Sequence, residues 1–307
     1  MGSIAFVFAG QGAQYPGMGK ELYSCSAAAK DVFDRAEALR PGTLEMCFNG
    51  SAEALSQTIN TQPCLFAMDM ACAQAAVEAG AAPACCAGFS LGEVAAACFA
   101  GVMDFDQAFR FVVRRAEAMQ ACGERFRGAM GAVLRLTTDQ VEAICREFPE
   151  SAYPVNYNCP GQTVVACTEE VYEALAARVA AEKGRIMRLN VSSAFHTPWM
   201  GDASAELAEY LAAHEPGSPR MPLYSNFSAA PYGDNAAQLL SRQVSSPVLW
   251  QRSIENMAAA GADTFIELGA GKTLSGLVRK TIPGARILNV EKPDDLEKLR
   301  EVLANEG

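Results

Sequence analysis

A serine hydroxyl becomes a nucleophile when the chain holds it in the open beside a base, and one stretch of this sequence has the residues to do so. Gly88-Phe89-Ser90-Leu91-Gly92 is a G-x-S-x-G pattern set between a short apolar run and a run of small, helix-forming residues. On a strand-to-helix turn of this kind the glycines permit close chain approach and the serine is presented above the first helical turn. Backbone N–H groups there, including that of Leu91, can hold an oxyanion without a charged side chain. The alternative is a glycine-packed turn with no chemistry. A base is also needed, and the chain has two histidines. His214, in Ala212-Ala213-His214-Glu215-Pro216-Gly217, falls at the expected end of a helix, where a cationic or half-exposed histidine is ordinary. His196, in the loop-like stretch 191–198, is therefore the candidate general base, against the alternative of a histidine satisfied by its own loop.

Two further glycine-rich stretches and an arginine pair bear on the same chemistry. Gly10-Gln11-Gly12-Ala13-Gln14 follows an apolar run, but Tyr15 stands where a dinucleotide fingerprint needs its third glycine. Its better use is to bring the Gln11 N–H toward the serine. Gly269-Ala270-Gly271-Lys272-Thr273 looks like the end of a phosphate-binding loop, yet Ile266 occupies the position of the first glycine, so a packed strand-to-helix turn is expected. Arg114 and Arg115 are adjacent in a helical segment and point about 100° apart. One can be solvated while the other turns inward, where it needs a carboxylate from the protein or from a substrate.

The elements that must position these groups are legible in outline. Residues 4–8 (IAFVF) and 84–88 read as strands buried on both faces, and 91–99 as a small-residue helix, giving strand, tight turn, helix around Ser90. Helical texture runs over 18–39. A start signal at 60–63 precedes a helix over 65–79 that is apolar almost all round and so buried. From about residue 128 the order is strand 129–136, helix 138–147 with Thr138 as N-cap, strands 155–158 and 163–167 around an Asn-Cys-Pro-Gly turn, helix 169–183 and strand 185–189. That βαββαβ order is a ferredoxin-like unit. One more buried strand is expected at 264–268. The fold class is α/β: a large domain over 1–124 and 192–307, with a small α+β subdomain inserted at 125–191.

The 307 residues carry a net charge of −10, which argues against a nucleic-acid or anionic-membrane partner. Eleven cysteines without a C-x-x-C pair, and only two histidines, argue against zinc or a disulfide framework and fit a reducing cytoplasm. There is no basic n-region, no myristoylation motif and no apolar stretch of membrane-spanning length.

In order and spacing, FVFAGQGAQYPGMG, TQPCLFAM, GFSLGEVAA, RRAEAMQ, NYNCPGQTVV, SSAFHTPWM, RQVSSPVLW and ELGAGKTLSGLV resemble the malonyl-CoA:acyl carrier protein transacylases and the acyltransferase domains of fatty-acid and polyketide synthases. The resemblance runs from Phe6 to about Val278. It implies a hydrolase-like α/β domain with a parallel sheet core and a ferredoxin-like insertion. It implies Ser90 as acylated nucleophile, His196 as base, Gln11 and Leu91 as oxyanion-hole amides, and Arg115 as partner of a malonyl carboxylate. Gln243 would orient the histidine through its backbone carbonyl, and Phe89 and Phe195 would wall the pocket, Phe195 in an Ala-Phe-His pattern associated with malonyl selection. The implied substrates are malonyl-CoA and holo acyl carrier protein, with no cofactor and no metal. The chain departs from the family at Phe89, where histidine is usual, and at Ala116, where glycine is usual. A thioester hydrolase, a transacylase of other acyl specificity and a non-catalytic carrier-binding subunit are the alternatives. Because carrier proteins are typically acidic, Lys183, Arg185, Arg188, Lys272, Arg279 and Lys280 form an expected basic docking face.

Overall fold

The computed structural model describes residues 2–191 and 193–305, so the ends of the expected domain ranges at 1, 192 and 307 lie outside the described residues. Among the described residues nine strands form two sheets: β1 (Ser3–Phe8), β2 (Cys85–Gly88), β3 (Gly128–Leu134), β4 (Ala152–Cys159), β5 (Gln162–Thr168), β6 (Arg185–Arg188), β7 (Leu223–Tyr224), β8 (Ala262–Leu268) and β9 (Arg286–Val290). The larger sheet has the order β7-β2-β1-β8-β9 and every pairing in it is parallel. Parallel strands carry helices on both faces, which is why β1 and β2 read as unbroken apolar runs and not as alternating ones. The register sets Phe8 opposite both Gly88 and Leu268, so the loops after β1, β2 and β8 leave the sheet side by side. Open parallel sheets place their ligands at this carboxyl edge.

The second sheet is antiparallel, in the order β4-β5-β3-β6. Helices Thr138–Arg146 and Tyr172–Ala181 cover it, and Val133, Ile144, Val165, Leu175 and Val179 share its core. The βαββαβ order is as the sequence implied. β4 begins three residues before the expected strand because Pro154, which donates no ladder hydrogen bond, sits on an edge strand where it is tolerated. The backbone of β4 also joins the large domain: Tyr157 N–H donates to Val248 O at 2.9 Å and Val248 N–H to Val155 O at 2.8 Å.

Several local expectations are corrected. The N-cap of the first insertion helix is Thr137, not Thr138, because it is the Thr137 hydroxyl that accepts from Gln140 N–H in a reciprocal capping box. The stretch 18–39 is two helices, Lys20–Cys25 and Ala27–Leu39, divided at Ser26, whose hydroxyl caps the second by accepting from Ala29 N–H. The segment 169–183 opens with a 3₁₀ turn at Glu169–Val171, and its α-helix ends at Ala181. The long buried helix starts at Thr58, so Pro63 lies inside it and not at its start. Strands β7 and β9 carry no strong sequence signal, β7 being two residues long and β9 only partly buried at the sheet edge.

Candidate active site

The turn after β2 is as tight as the G-x-S-x-G reading requires. A Cβ added at Gly88 would lie 1.9 Å from the Gly92 carbonyl, and one at Gly92 would lie 2.3 Å from the Phe8 carbonyl oxygen, so neither position accepts a side chain. Ser90 between them has φ 52°, a left-handed conformation that costs a non-glycine residue about 1–3 kcal/mol. Asn226 holds it there. Its Oδ1 accepts from Ser90 N–H at 2.7 Å and its Nδ2 donates to Gly88 O at 2.6 Å. Nothing in the turn-rich stretch around Asn226 signalled this role.

His196 and Ser90 come together from segments 106 residues apart in the chain, with His196 Nε2 2.7 Å from Ser90 Oγ. On the other side of the ring Nδ1 lies 3.0 Å from Gln243 O and 3.2 Å from Ser246 O. Both are carbonyls that only accept, so Nδ1 carries the proton and Nε2 is left to accept from the serine hydroxyl. Gln243 opens the short turn Gln243–Ser245, and His196 N–H donates to Val244 O at 3.1 Å, which locks the two segments together. Burial first, and the positive charge of Arg115 second, push the imidazole down to about 4 from its usual 6.5. The ring is therefore neutral at neutral pH, the state a base needs. His214 is exposed and stacks on Tyr210 at 4.3 Å.

The arginine pair divides as its spacing predicts. Arg114 faces solvent and pairs with Glu117 and Glu206. Arg115 is buried at 1% exposure, and two neutral amide oxygens hold it: Nη1 donates to Gln62 Oε1 and Nη2 to Gln243 Oε1, both at 2.7 Å. Nη2 also lies 3.4 Å from Ser90 Oγ, and Nε has no partner among the described residues. Burial lowers the guanidinium to about 10, opposed by the charge of Glu93, and leaves it cationic. A cation thus stands beside the Ser90 hydroxyl without a carboxylate in direct contact.

A serine paired with a histidine, with a buried arginine at its side, is the equipment of acyl transfer to or from an acid-bearing substrate. The chain matches the family model described as acyl transferase domain over residues 5–294. It is 38% identical over 315 residues to the malonyl CoA-acyl carrier protein transacylase of Bacillus subtilis (strain 168), covering 100% of this chain and 99% of that protein. The chain belongs to the acyl transferase family. Among solved structures, the malonyl CoA-acyl carrier protein transacylase from Clostridium perfringens superposes with a TM-score of 0.94 at 35% identity, covering 99% of this chain and 98% of that one. A malonyl-transacylase solved in complex with its type II PKS acyl-carrier protein superposes with a TM-score of 0.93 at 31% identity, covering 98% and 99%.

The remaining parts of this acyl transferase site cluster around Gln243 and the loop after β1. Gln243 Nε2 donates to Ser90 O and to Glu93 Oε2, each at 2.7 Å. Glu93 Oε1 accepts from Tyr232 OH at 2.6 Å and from Asn226 N–H at 3.2 Å. Burial raises the Glu93 carboxyl to about 7, with the three hydrogen bonds and Arg115 pulling the other way. Glu93 and Gln62 stood inside motifs already noted, GFSLGEVAA and TQPCLFAM, and a lone charge in a run of small apolar residues was the available signal. Gln11 lies beside the turn, since Gly10 packs against the Phe89 carbonyl, and its side chain donates to Thr58 Oγ1 at 3.3 Å. Among the described residues neither the Gln11 nor the Leu91 backbone N–H donates to another protein group. The Phe89 ring rests edge-on against Trp250 at 5.4 Å and borders a cavity of about 130 Å³ with Gln11 and Leu274. Phe195 is buried in the main core beside His196. Thr58 also lines a cleft of about 670 Å³ that reaches Gln120, Arg127, Arg188 and Val191, between the helix Phe105–Arg125 and the small sheet. Among the described residues no group of three or more His, Cys, Asp or Glu could hold a metal ion, and no helix is long and apolar enough to cross a membrane.

Proposed function

We propose that this acyl transferase moves a malonyl group from malonyl-CoA to the phosphopantetheine thiol of a holo acyl carrier protein, through an ester on Ser90. The observation that carries the reading is the buried Arg115 guanidinium, held by neutral amides within 3.4 Å of the Ser90 hydroxyl. In this site a free carboxylate on the acyl group completes the arginine's pairing, and an acetyl group leaves a buried cation short of a counter-charge, at a cost of several kcal/mol.

His196 Nε2 takes the Ser90 proton as Oγ attacks the thioester carbon. The carbonyl oxygen becomes an oxyanion facing the Gln11 and Leu91 amides, which carry no charge of their own to repel the malonate. Collapse breaks the C–S bond, and the imidazolium returns its proton to the departing CoA sulfur. The carrier thiol then enters along the same path: His196 removes its proton, the thiolate attacks the Ser90 ester, and Oγ leaves with the proton. Throughout, the Gln243 and Ser246 carbonyls keep the Nδ1 proton in place and favour the imidazolium as it forms. No step calls for a cofactor or a metal.

The relatives named as malonyl CoA-acyl carrier protein transacylases, and the structure of one bound to an acyl-carrier protein, support both substrates. Lys183, Arg185, Arg188, Lys272, Arg279 and Lys280 are exposed on a chain of net charge −10, Arg188 paired with Glu169, and we assign carrier docking to these cations. Eleven cysteines, of which Cys25 is the exposed one, suit a reducing cytoplasm. Intact-protein mass spectrometry after brief mixing with malonyl-CoA, acetyl-CoA and methylmalonyl-CoA in competition tests the reading. A malonyl adduct is expected on the native chain, absent in Ser90→Ala, and replaced by acetyl in Arg115→Ala; holo carrier protein should discharge it faster than water. Discharge to free malonate at the same rate with and without carrier would make the chain a hydrolase.

A further inference from the structure

Arg115 is aimed by Gln62 and Gln243, and the aim of Gln243 is itself set by another residue. An amide side chain can face either way, and in one orientation it would present N–H groups to the guanidinium. Gln243 is denied that orientation because its Nε2 has two acceptors, Ser90 O and Glu93 Oε2, each at 2.7 Å. Its Oε1 is thereby turned to Arg115 Nη2 at 2.7 Å. Ser90 O is backbone and fixed, which leaves Glu93 as the acceptor that a side-chain change can remove. Glu93 is fully buried on the first turn of the helix Gly92–Phe99, and Tyr232 and the Asn226 backbone pin its other oxygen.

We infer that Glu93 is the positioning residue that sets the acyl preference of this site: its carboxylate fixes the Gln243 amide, and through that amide the Arg115 guanidinium. The inference rests on the malonyl reading above and adds to it a residue that touches neither acyl group nor nucleophile side chain. Burying a carboxylate is costly, and one carbon chain away from a buried arginine it does two things at once. It supplies a counter-charge to Arg115 at a distance, and it avoids a direct ion pair that would compete with the substrate's carboxylate. The neutral Gln243 is the spacer that keeps the two apart.

Glu93→Gln separates these roles from mere packing. Two donors, Tyr232 OH and Asn226 N–H, face one carboxylate oxygen and one donor, Gln243 Nε2, faces the other. The new amide therefore keeps its oxygen toward the pair and sets its NH₂ against Gln243 Nε2. Two donors cannot bond, so Gln243 keeps only Ser90 O as acceptor for its Nε2, and the hold of its Oε1 on the guanidinium loosens. The assay is kcat/KM for Ser90 acylation by malonyl-CoA and by acetyl-CoA, read by quenched mass spectrometry. In Glu93→Gln the malonyl-to-acetyl ratio should fall about ten- to a hundredfold, the usual scale for losing a hydrogen bond to a charged group. The fall in the ratio should come mainly from malonyl KM. Any effect passed through the Gln243 carbonyl to His196 slows both acyl groups alike and cancels in the ratio. In an Arg115→Ala background the same substitution should leave the ratio unmoved. Tyr232→Phe, which removes one of the two donors to Glu93 Oε1 and keeps the charge, should lower the ratio less, and it carries the test if Glu93→Gln does not fold. Equal loss for both acyl groups, an unchanged ratio in either variant, or a further change in the Arg115→Ala background would overturn the inference. A native enzyme that shows no preference for malonyl would instead overturn the proposed function.

Discussion

Lowering the pH from 7 to 5 should leave Ser90 acetylation nearly untouched, although the proposed base is a histidine. His196 is fully buried, and desolvation together with the Arg115 charge holds its imidazole at about 4, against 6.5 when unperturbed. Only the neutral ring accepts the serine proton, so the active fraction falls as pH falls through the folded value. At pH 5 a ring titrating at about 4 is still about 90% neutral, whereas one at 6.5 is about 3% neutral, a contrast of about thirtyfold. Single-turnover acylation by acetyl-CoA, followed by quenched mass spectrometry from pH 8 to 4.5, reads that fraction without involving the malonyl clamp. Glu93, the carboxyl facing the same cluster and raised to about 7, should show itself separately, as a drift in the malonyl-to-acetyl ratio near neutrality. Arg115→Ala removes the second cause of the depression, so its acetylation limb should move to higher pH. A native acetylation limb centred at pH 6 to 7, or a limb that Arg115→Ala shifts downward, would refute the reasoning that burial and the neighbouring cation set the base.

Four other outcomes follow from the same geometry. His196→Ala should slow acylation by several orders of magnitude while His214→Ala, exposed and stacked on Tyr210, leaves it within about twofold, and equal effects in stopped-flow assays would remove His196 as base. Asn226→Ala orphans the Ser90 N–H and the Gly88 carbonyl, so chemical denaturation should show a loss of about 2–4 kcal/mol together with slow acylation; Thr137→Ala, a cap far from the site, should cost about 1 kcal/mol and leave turnover alone. Charge reversal at Lys272 and Arg279 should slow transfer to carrier protein and flatten its salt dependence without changing acylation by malonyl-CoA, and unchanged carrier kinetics would move the docking surface elsewhere. Finally, His196 loses stability for the fold as pH drops from 6.5 to 4, and Glu93, protonated at higher pH when folded than when unfolded, gains it between 7 and 4.5. The two contributions, about 3 kcal/mol each, oppose one another, so Glu93→Gln should lose more stability on acidification than the native chain does.

What could be read from the sequence followed how local each signal is. The strand-turn-helix around Ser90 is written in consecutive residues, because two glycines and an apolar run suffice to define it. The βαββαβ insertion was equally legible from the alternation of its short segments. The boundaries were less so: Pro63 reads as a helix start until the tertiary packing of Thr58–Glu78 overrides it, and Thr137 gives way to Thr138 only if the reciprocal bond to Gln140 is unseen. Within the site, Ser90 announces itself by the G-x-S-x-G pattern around it, and His196 by being one of two histidines in the chain. Asn226, Tyr232 and Gln62 do not, because an amide or a phenol in a loop or a buried helix has no periodicity that marks it. Asn226 acts on backbone groups 136 and 138 residues away in the chain, and Tyr232 and Gln62 on side chains 139 and 53 residues away, relations visible only after folding.

The choice of a carbonyl to orient His196 fits the charges around it. Before substrate arrives the buried cluster holds one cation, Arg115, and one carboxyl, Glu93, separated by the Gln243 amide. A malonyl group brings a second negative charge to within reach of Nη2. Were the partner of Nδ1 an aspartate, that cluster would contain three carboxyl groups around one guanidinium, and the aspartate would both raise the imidazole and compete for Arg115. Two neutral carbonyls at 3.0 and 3.2 Å fix the tautomer without either effect. The base is left weak at rest, and the imidazolium that forms is correspondingly a ready proton donor to the departing sulfur. Placing a carboxylate at the orienting position should accordingly raise the His196 titration and erode malonyl preference together, whereas changes confined to the outer docking face should do neither.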